Sequence, residues 1–276
     1  MNLIIQGREI QNRDLRYLAK HAGASQIKQI TAEAFCLCEA KEREGIAEYC
    51  EEAKLDFAFV PENLKLSDFG LLAMDMDSTL ITIECIDELA DIKGIKAEVA
   101  QITTSSVRGE IEFADSVRRR VALLAGLNGS ALQKVYAERL QLSPGAEKML
   151  AALKAAGVKT LLITSGFTFF AEQLKKRLRL DYICSNALDI VNGKLSGRLA
   201  GEIIDADVKA IKVEELRKQL GLKKEQVIAL GDGANDLKMM AQARISIAYH
   251  AQPIVRRQTT YAINYVGLEG VVNLFA

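Results

Sequence analysis

The chain has 276 residues, 49% of them hydrophobic, enough to fill one large core or two smaller ones. Lys plus Arg and Asp plus Glu both number 36, so the formal net charge is zero, and nothing in that balance points to nucleic acid or to electrostatic attachment at a membrane. With only His21 and His250 and no tryptophan, a histidine triad or a histidine-rich metal site is disfavoured, and no apolar run is long enough to span a bilayer.

Met1 to about Leu66 reads as a small α+β unit. Leu3-Ile4-Ile5 is strand-like, Asn12 to Ala22 is helical with Asn12 as its cap, and Ile27 to Cys38 contains strand residues. Glu42 to Lys54 is helical again, and Phe57-Ala58-Phe59-Val60 is a strand closed by Pro61. The unit carries no recognisable chemistry, and a packing, dimerisation or regulatory module is expected; a homodimer is the one protein partner allowed for. Pro61 to Asp68 is the expected linker, so the division is 1–66 and 67–276. Cys36, Cys38, Cys50, Cys85 and Cys184 are odd in number and scattered, and Cys36-Leu37-Cys38 lacks the spacing of zinc or redox motifs. They read as core cysteines of a reducing compartment. The start shows no basic segment followed by a signal-like apolar run, and a cytoplasmic location is expected.

Leu71-Leu72-Ala73-Met74 is a continuous apolar run of the kind buried on both faces in a parallel sheet, and it leads straight into Asp75-Met76-Asp77-Ser78-Thr79. From Thr82 to about Leu142 the apolar spacing is helical throughout, which suggests a small helical insert, a lid over whatever lies at the strand end. The α/β alternation then resumes. Gly145 to Ala156 is helical, Lys159 to Ile163 is a buried strand delivering Thr164-Ser165-Gly166-Phe167, and Phe169 to Leu178 is helical. Asn192-Gly193 between strand-like runs signals a hairpin. Asp207 to Leu220 is a helix carrying Lys209, and Val227 to Leu230 is a third buried strand delivering Gly231-Asp232-Gly233-Ala234-Asn235-Asp236. Leu237 to Ala243 is helical, and Ile245 to Ala248 and Ala262 to Tyr265 are short strands. The expected fold is α/β, a doubly wound, parallel, Rossmann-like sheet with a helical cap at about 82–142 and the small N-terminal α+β domain.

In an open parallel sheet the carboxyl ends of the strands form the ligand edge. Three polar clusters, Asp75/Asp77, Thr164/Ser165 and Asp232/Asn235/Asp236, would meet there. Crowded carboxylates call for a cation, and Asp75, Asp232 and a backbone carbonyl near Asp77 suit Mg²⁺. Lys209 and Thr164 supply the charge and donors that a transferring phosphoryl group needs. A carboxylate can serve as nucleophile through an aspartyl-phosphate, and a second one can protonate the leaving group and then activate water.

These four segments, taken over about Leu71 to Tyr265, resemble the motifs of the haloacid dehalogenase superfamily. Asp75-Met76-Asp77-Ser78-Thr79, Glu84 shortly after it, Gly231-Asp232-Gly233-Ala234-Asn235-Asp236 and the helical insert together resemble most its phosphoserine-hydrolysing branch. The resemblance implies Asp75 as nucleophile and metal ligand, Asp77 as general acid/base with its carbonyl on the metal, and Asp232 as third ligand. Asn235 and Asp236 would hold phosphate or metal-bound waters, and Lys209 and Thr164 the phosphoryl group. Glu84, Phe113 and Arg120 would line the lid side, with glutamate facing an ammonium and arginine a carboxylate. The family usually has Ser-Gly-Gly where this chain has Thr164-Ser165-Gly166; Thr164 keeps the hydroxyl, and Ser165, counted with the substrate-binding residues, adds a side chain. The activity implied is Mg²⁺-dependent hydrolysis of a small phosphomonoester, O-phospho-L-serine, as the last step of serine biosynthesis.

Taken singly, Glu84 reads as a first-turn helix acid, Arg120 as part of the solvated run Arg118-Arg119-Arg120, and Phe113 as core. Two other readings stand beside the first. One is a phosphatase or phosphotransferase for another small phosphomonoester, which Glu84 and Arg120 discriminate. The other is a sensing protein with a vestigial catalytic domain, motivated by a likeness of the N-terminal unit to small regulatory domains of serine-pathway enzymes; the intact Asp75 and Asp77 argue against it.

Overall fold

A computed structural model describes residues 1–276. Its first sheet joins β1 (Asn2–Gln6), β2 (Gln26–Thr31), β3 (Ala34–Cys38) and β4 (Asp56–Val60), all antiparallel, in the order β2-β3-β1-β4. Helices α1 (Asn12–His21) and α2 (Ile46–Glu52) cover one face, where Leu3, Ile5 and Leu37 pack with Leu15, Leu18, Ile46 and Cys50. The cap of α1 is Gln11 rather than Asn12: the Gln11 N–H donates to Asp14 in the first turn (3.0 Å), and Asn12 is already helical. Helix α2 begins four residues later than its apolar spacing suggests, because Gly45 (φ +72°) takes a left-handed conformation just before it.

Side chains alternate across a strand, so Ile4, Cys36, Ala58 and Val60 emerge on the other face. They are buried in the same cluster as Phe69, Ile263 and Val266 of the second half of the chain. That is why three consecutive residues of β1 are apolar: both faces of the small sheet are covered. Asp56, 2% exposed, fastens the junction. Its carboxylate accepts the backbone N–H groups of Asn264 (2.6 Å), Tyr265 (2.9 Å) and Val266 (3.1 Å). Gln6 donates to the Gly270 carbonyl (3.2 Å) and accepts from Asn273 (2.8 Å).

The main sheet contains β5 (Leu71–Met74), β6 (Lys159–Phe167), β7 (Tyr182–Val191), β8 (Lys194–Ala200), β9 (Val227–Gly231), β10 (Ile245–Tyr249) and β11 (Tyr261–Ile263). Their order is β11-β10-β9-β5-β6-β7-β8, parallel except for β8. Between β5 and β6 run the helices α3 (Cys85–Lys93), α4 (Lys96–Val107), α5 (Phe113–Leu123), α6 (Ser130–Glu138) and α7 (Ala146–Ala155). The later crossovers use α8 (Thr168–Leu178), α9 (Ala206–Gln219), the short α10 (Leu237–Met240) and α11 (Pro253–Arg256), and α12 (Glu269–Asn273) ends the chain. On one face Leu71, Ala73, Leu161 and Val227 pack with Val213 and Leu216 of α9 and Met239 of α10. On the other, Leu72, Met74, Leu162 and Leu230 pack with Met149 of α7 and Phe170 of α8. The sheet is therefore doubly wound, and the continuous apolar runs have the reason given to parallel strands, helices on both sides.

The cap, α3 to α6, is tied to the body by the β7–β8 hairpin. Asn192 and Gly193 take positive φ (51° and 75°), as an Asn-Gly turn requires, and this places Gly193 and Leu195 against the α5–α6 connection. Gly126 N–H donates to Leu195, Leu195 N–H to Leu127 and Gly129 N–H to Gly193, each at 2.8 Å. Strand β7 starts at Tyr182, ahead of the hairpin residues, because its first half extends the sheet by parallel pairing with β6.

Candidate active site

Strand β5 lies between β6 and β9, so the chain leaving it passes between the ends of two other strands. The Asp75 N–H still bonds the Leu230 carbonyl of β9 (3.0 Å), which fixes the start of the departing loop. Met76–Leu80 then forms one wide turn in which Ser78 has φ +54°, an uncommon conformation for a residue with a side chain. The turn points both acids inward: Asp75 and Asp77 are buried.

Asp77 is held at both oxygens. Oδ1 accepts the Cys85 N–H at the start of α3 (2.8 Å), and Oδ2 accepts the Thr164 hydroxyl from the end of β6 (3.3 Å). Thr164 Oγ1 in turn accepts the Gly166 N–H (2.8 Å). Burial raises the Asp77 carboxyl above the ordinary aspartate range, opposed by the Cys85 and Thr164 donors. A methyl group on Gly166 would collide with Asp77 Oδ2 and come within 2.7 Å of Met76. We expect Gly166→Ala to leave the fold intact and lower turnover about a hundredfold by displacing Asp77. Steady-state kinetics beside a circular dichroism melt checks it; unchanged turnover would show that the Asp77 position is not critical.

Lys209 comes from the first turn of α9, whose cap is Asp205, accepting the Asp207 (3.0 Å) and Val208 (2.9 Å) N–H groups. The lysine is fully buried. Its Nζ donates to Asp75 Oδ1 at 2.8 Å and to Asp236 Oδ1 at 2.7 Å. Burial alone would lower its pKa, but the Asp236 and Asp75 carboxylates outweigh that and raise it, so the ammonium stays charged. Asp75 is itself raised well above its usual range, first by burial, with Asp236 and Asp232 adding repulsion and Lys209 opposing. Asp236 closes its own turn through the Gly233 N–H (3.2 Å), and a side chain at Gly231 would strike its carboxylate. Asp232, at the end of β9, accepts the Thr79 hydroxyl (3.0 Å), and burial followed by Asp236 pushes it up to about 6.

Carboxylate oxygens of Asp75, Asp232 and Asp236 all lie within 4.8 Å of one another. Asp75 Oδ1 is engaged by Lys209 and Asp232 Oδ1 by Thr79, while the second oxygen of each has no protein donor. Two free, hard oxygens beside a third carboxylate fit a small oxygen-loving cation, and no histidine or thiolate competes for it. The Asp77 carboxylate stands outside this trio and Asp236 inside it.

The cap supplies Glu84, Phe113 and Arg120. Glu84 immediately precedes α3, accepts the Ser78 hydroxyl (2.6 Å) and is open to solvent, yet burial around it and then the Asp77 charge raise its pKa. Arg120, in the last turn of α5, is half-buried and within electrostatic reach of Glu84, Asp87 and Asp77. Phe113, half-buried at the first position of α5, packs against the main core. The structure thus gathers Asp75, Lys209, Asp232 and Asp236 into one cluster, with the hydrogen-bonded pair Asp77–Thr164 at the adjoining strand end and Glu84 within electrostatic reach of Asp77 and Arg120. Ser165 is not gathered: its hydroxyl turns away to the Ile204 carbonyl (2.6 Å) in the loop before α9, beside Asn186, which bonds Ser165 O (2.7 Å) and the Ile204 N–H (2.8 Å). Asn235 bends over Gly233 at the edge of the cluster. Ser78, Thr79 and the Cys85 N–H were missed as parts of the site, although the two hydroxyls stand in the same motif as the acids.

A strand-end acidic cluster with a buried lysine, under a helical cap inserted after the first carboxylate, defines a capped α/β hydrolase of the metal-assisted kind. The family model for haloacid dehalogenase-like hydrolases matches residues 69–244, and the chain belongs to that family. A second model, for a domain of unknown function, matches residues 3–46. A phosphoserine phosphatase from Polaromonas sp. is 50% identical over 217 residues, which cover 77% of this chain and 92% of that protein. The unliganded crystal structure of a probable phosphoserine phosphatase from Vibrio cholerae superposes with a TM-score of 0.87 at 34% identity, covering 99% of this chain and 86% of that one. A structure described as a phospho-aspartyl intermediate analogue of phosphoserine phosphatase has a TM-score of 0.71 at 33% identity, covering 75% of this chain and 99% of that one.

Proposed function

We propose that the chain hydrolyses O-phospho-L-serine to L-serine and phosphate, with Asp75 as nucleophile. The observation that carries this is the placement of Lys209 between Asp75 and Asp236, with Asp77 held separately by Cys85 and Thr164. One carboxylate sits in the cation cluster and its neighbour outside it, a division of labour suited to nucleophile and acid/base. The phosphoserine phosphatases among the relatives support the substrate.

Asp75, Asp232 and Asp236 are the residues that would hold Mg²⁺. When bound, the ion neutralises the crowded carboxylates and draws charge from the phosphoryl oxygens. The chain's own residues do the rest. An Asp75 oxygen attacks phosphorus, the bond from phosphorus to the seryl oxygen breaks, and the proton on Asp77 passes to that oxygen. The Asp77 carboxylate next takes a proton from water, whose oxygen attacks the phosphorus of the aspartyl-phosphate and releases phosphate and free Asp75. Lys209 and the Thr164 hydroxyl steady the phosphoryl oxygens, with Asn235 at the rim of the same cluster. The Thr164-Ser165-Gly166 segment keeps the functional hydroxyl on Thr164, and the Ser165 hydroxyl holds the loop before α9 rather than the phosphoryl group. Glu84 takes the substrate ammonium and Arg120 its carboxylate, with Phe113 beside them. A place at the end of serine biosynthesis and a reducing, cytoplasmic setting accord with the activity and with five free cysteines; no helix is long and apolar enough to cross a membrane.

Substrate choice is tested by Arg120→Ala and Glu84→Gln. Each should raise KM for phosphoserine at least about tenfold, the loss of one charge-assisted contact. Hydrolysis of p-nitrophenyl phosphate, which has neither ammonium nor carboxylate, should be nearly unchanged. Equal losses on both substrates would remove the amino-acid specificity and leave a general small-phosphomonoester phosphatase.

A further inference from the structure

The free edge of the small sheet faces the free edge of the large one. Strand β4 pairs only with β1, and β11 only with β10, so each leaves one edge without a strand partner. The Tyr261 hydroxyl of β11 reaches the Phe59 carbonyl of β4 (3.4 Å), and beside this contact a groove of about 430 Å³ opens between the edges. That volume lies in the range of small-molecule sites.

Three arginines line it: Arg43 from the loop before α2, and Arg256 and Arg257 at the end of α11. None of the three is in an ion pair. Arg256 Nε is buried with no acceptor. Arg43 lies over the Phe59 ring at 4.6 Å, its only other polar contact being Met1 sulfur at 3.1 Å. Two acids also line the groove, but Asp56 is filled by the N–H groups of residues 264–266, which leaves Glu51 as the one uncommitted carboxylate. Phe57, Phe59 and Tyr261 give the walls flat apolar surface.

Three guanidinium groups that meet no carboxylate leave charge along the groove which an anionic ligand would match, the terminal nitrogens forming charge-assisted hydrogen bonds to its oxygens. Guanidinium groups bind carboxylate and phosphate in a two-point fashion, and aromatic walls favour a planar body. We propose that this groove is a second ligand site, taking a small compound that carries a carboxylate or phosphate on a flat apolar body. No residue of the groove belongs to the acidic cluster or to the cap, so the site is separate from the one that does the chemistry.

The absence of tryptophan allows a fluorescent probe to be followed without indole background. The full chain, as the Asp75→Asn variant saturated with O-phospho-L-serine, is titrated with 8-anilinonaphthalene-1-sulfonate, an aromatic anion, and with its neutral counterpart N-phenyl-1-naphthylamine. The expected result is saturable binding of one anionic probe per chain, with the neutral probe at least about tenfold weaker. The Arg256→Gln/Arg257→Gln variant should lose at least about tenfold in affinity. Arg43→Gln, at an exposed position where folding is not at stake, should lose severalfold; both sets of substitutions, made in the otherwise wild-type chain, should leave phosphoserine hydrolysis unchanged. Displacement of the probe by inorganic phosphate marks the natural ligand as phosphate-bearing, and displacement by glutamate marks it as a carboxylate. Displacement by neither, equal affinity for the neutral probe, or unaltered binding in both arginine variants would each overturn the proposal.

Discussion

Asp75→Asn is expected to abolish phosphate release from O-phospho-L-serine, by at least about a thousandfold in kcat, and wild-type turnover is expected to need Mg²⁺ and to stop with chelator. The asparagine keeps the size of the side chain and an oxygen for Lys209, which is 2.8 Å away and fully buried, so the site should retain its shape. What disappears is the anionic oxygen proposed as nucleophile and one of the three carboxylates that could hold a cation. A neutral amide is a poor nucleophile and a weak ligand for a hard cation, and the two losses fall on the same step. Asp77→Asn should lower kcat by a smaller factor, about a hundred- to a thousandfold, the usual range for one acid/base group. With a substrate whose leaving group needs no proton, p-nitrophenyl phosphate, much of the Asp77→Asn loss in the first step should vanish, and none of the Asp75→Asn loss. Phosphate release in real time, with and without chelator, on both substrates checks this. Residual Asp75→Asn activity within tenfold of wild type would remove the nucleophile assignment, and the same response of both variants to the change of leaving group would remove the division of roles.

The large sheet was legible because its strands announce themselves. Leu71–Met74 and Val227–Leu230 are apolar without interruption, which only helices on both faces allow, and each ends in an acid that no buried strand would carry idly. What stayed hidden were features set by tertiary contact. The full extent of β7 depends on pairing with β6, and nothing local distinguishes Tyr182 to Ala187 from a loop. The small N-terminal unit reads as self-contained because Leu3-Ile4-Ile5 is simply hydrophobic; that Ile4, Cys36 and Ala58 join the core of the large sheet is decided by which face α1 and α2 leave open. Gly45 set the true start of α2 and Gln11 the cap of α1, both decisions made by backbone conformation rather than by periodicity.

In the site, residue type and strand position pointed to Asp75, Asp77, Thr164 and Asp232, with Lys209 added from the helix that follows, since their chemistry is costly to bury without a purpose. The partnerships were not. Asp236 was expected among the residues around phosphate or metal-bound water, and the structure joins it to Asp75 through one lysine, across separations of 134 and 27 residues from Lys209. Ser165 shows the opposite failure. Its neighbours in sequence belong to the cluster, but a strand alternates its side chains, and the residue next to Thr164 turns toward Ile204. Glu84 and Arg120 could be named only through resemblance, because a first-turn acid and a run of arginines are ordinary helix chemistry.

Lys209→Met is expected to be among the most destabilising single substitutions in the chain, about 3–5 kcal/mol near neutral pH in the presence of chelator. The lysine is completely buried between two buried carboxylates at 2.7 and 2.8 Å, and methionine fills its space without its charge. Both carboxylates would then lie in the interior without a cation, a cost far above that of losing a surface pair. Lys212→Met on the same helix, which breaks an exposed, solvent-screened pair with Glu215 at 2.9 Å, is the control and should change stability far less. The pH dependence carries a definite sign. The folded-state pKa of Asp75 is already raised above its unfolded value, and losing Lys209 removes the main opposing charge and raises it further. A carboxyl raised in the folded state binds its proton more tightly there, so its penalty is absent below the unfolded value and grows as pH climbs toward the folded one. The deficit of Lys209→Met should therefore shrink at acid pH and widen toward neutrality, whereas that of Lys212→Met should change little. Removing the second acid as well, in Lys209→Met/Asp236→Leu, should recover part of the loss, because one carboxylate no longer needs a partner. Denaturant unfolding at pH 5 and pH 7.5 measures all of these, and a Lys209→Met deficit no larger than that of Lys212→Met would show that the buried triad does not hold this edge of the sheet together.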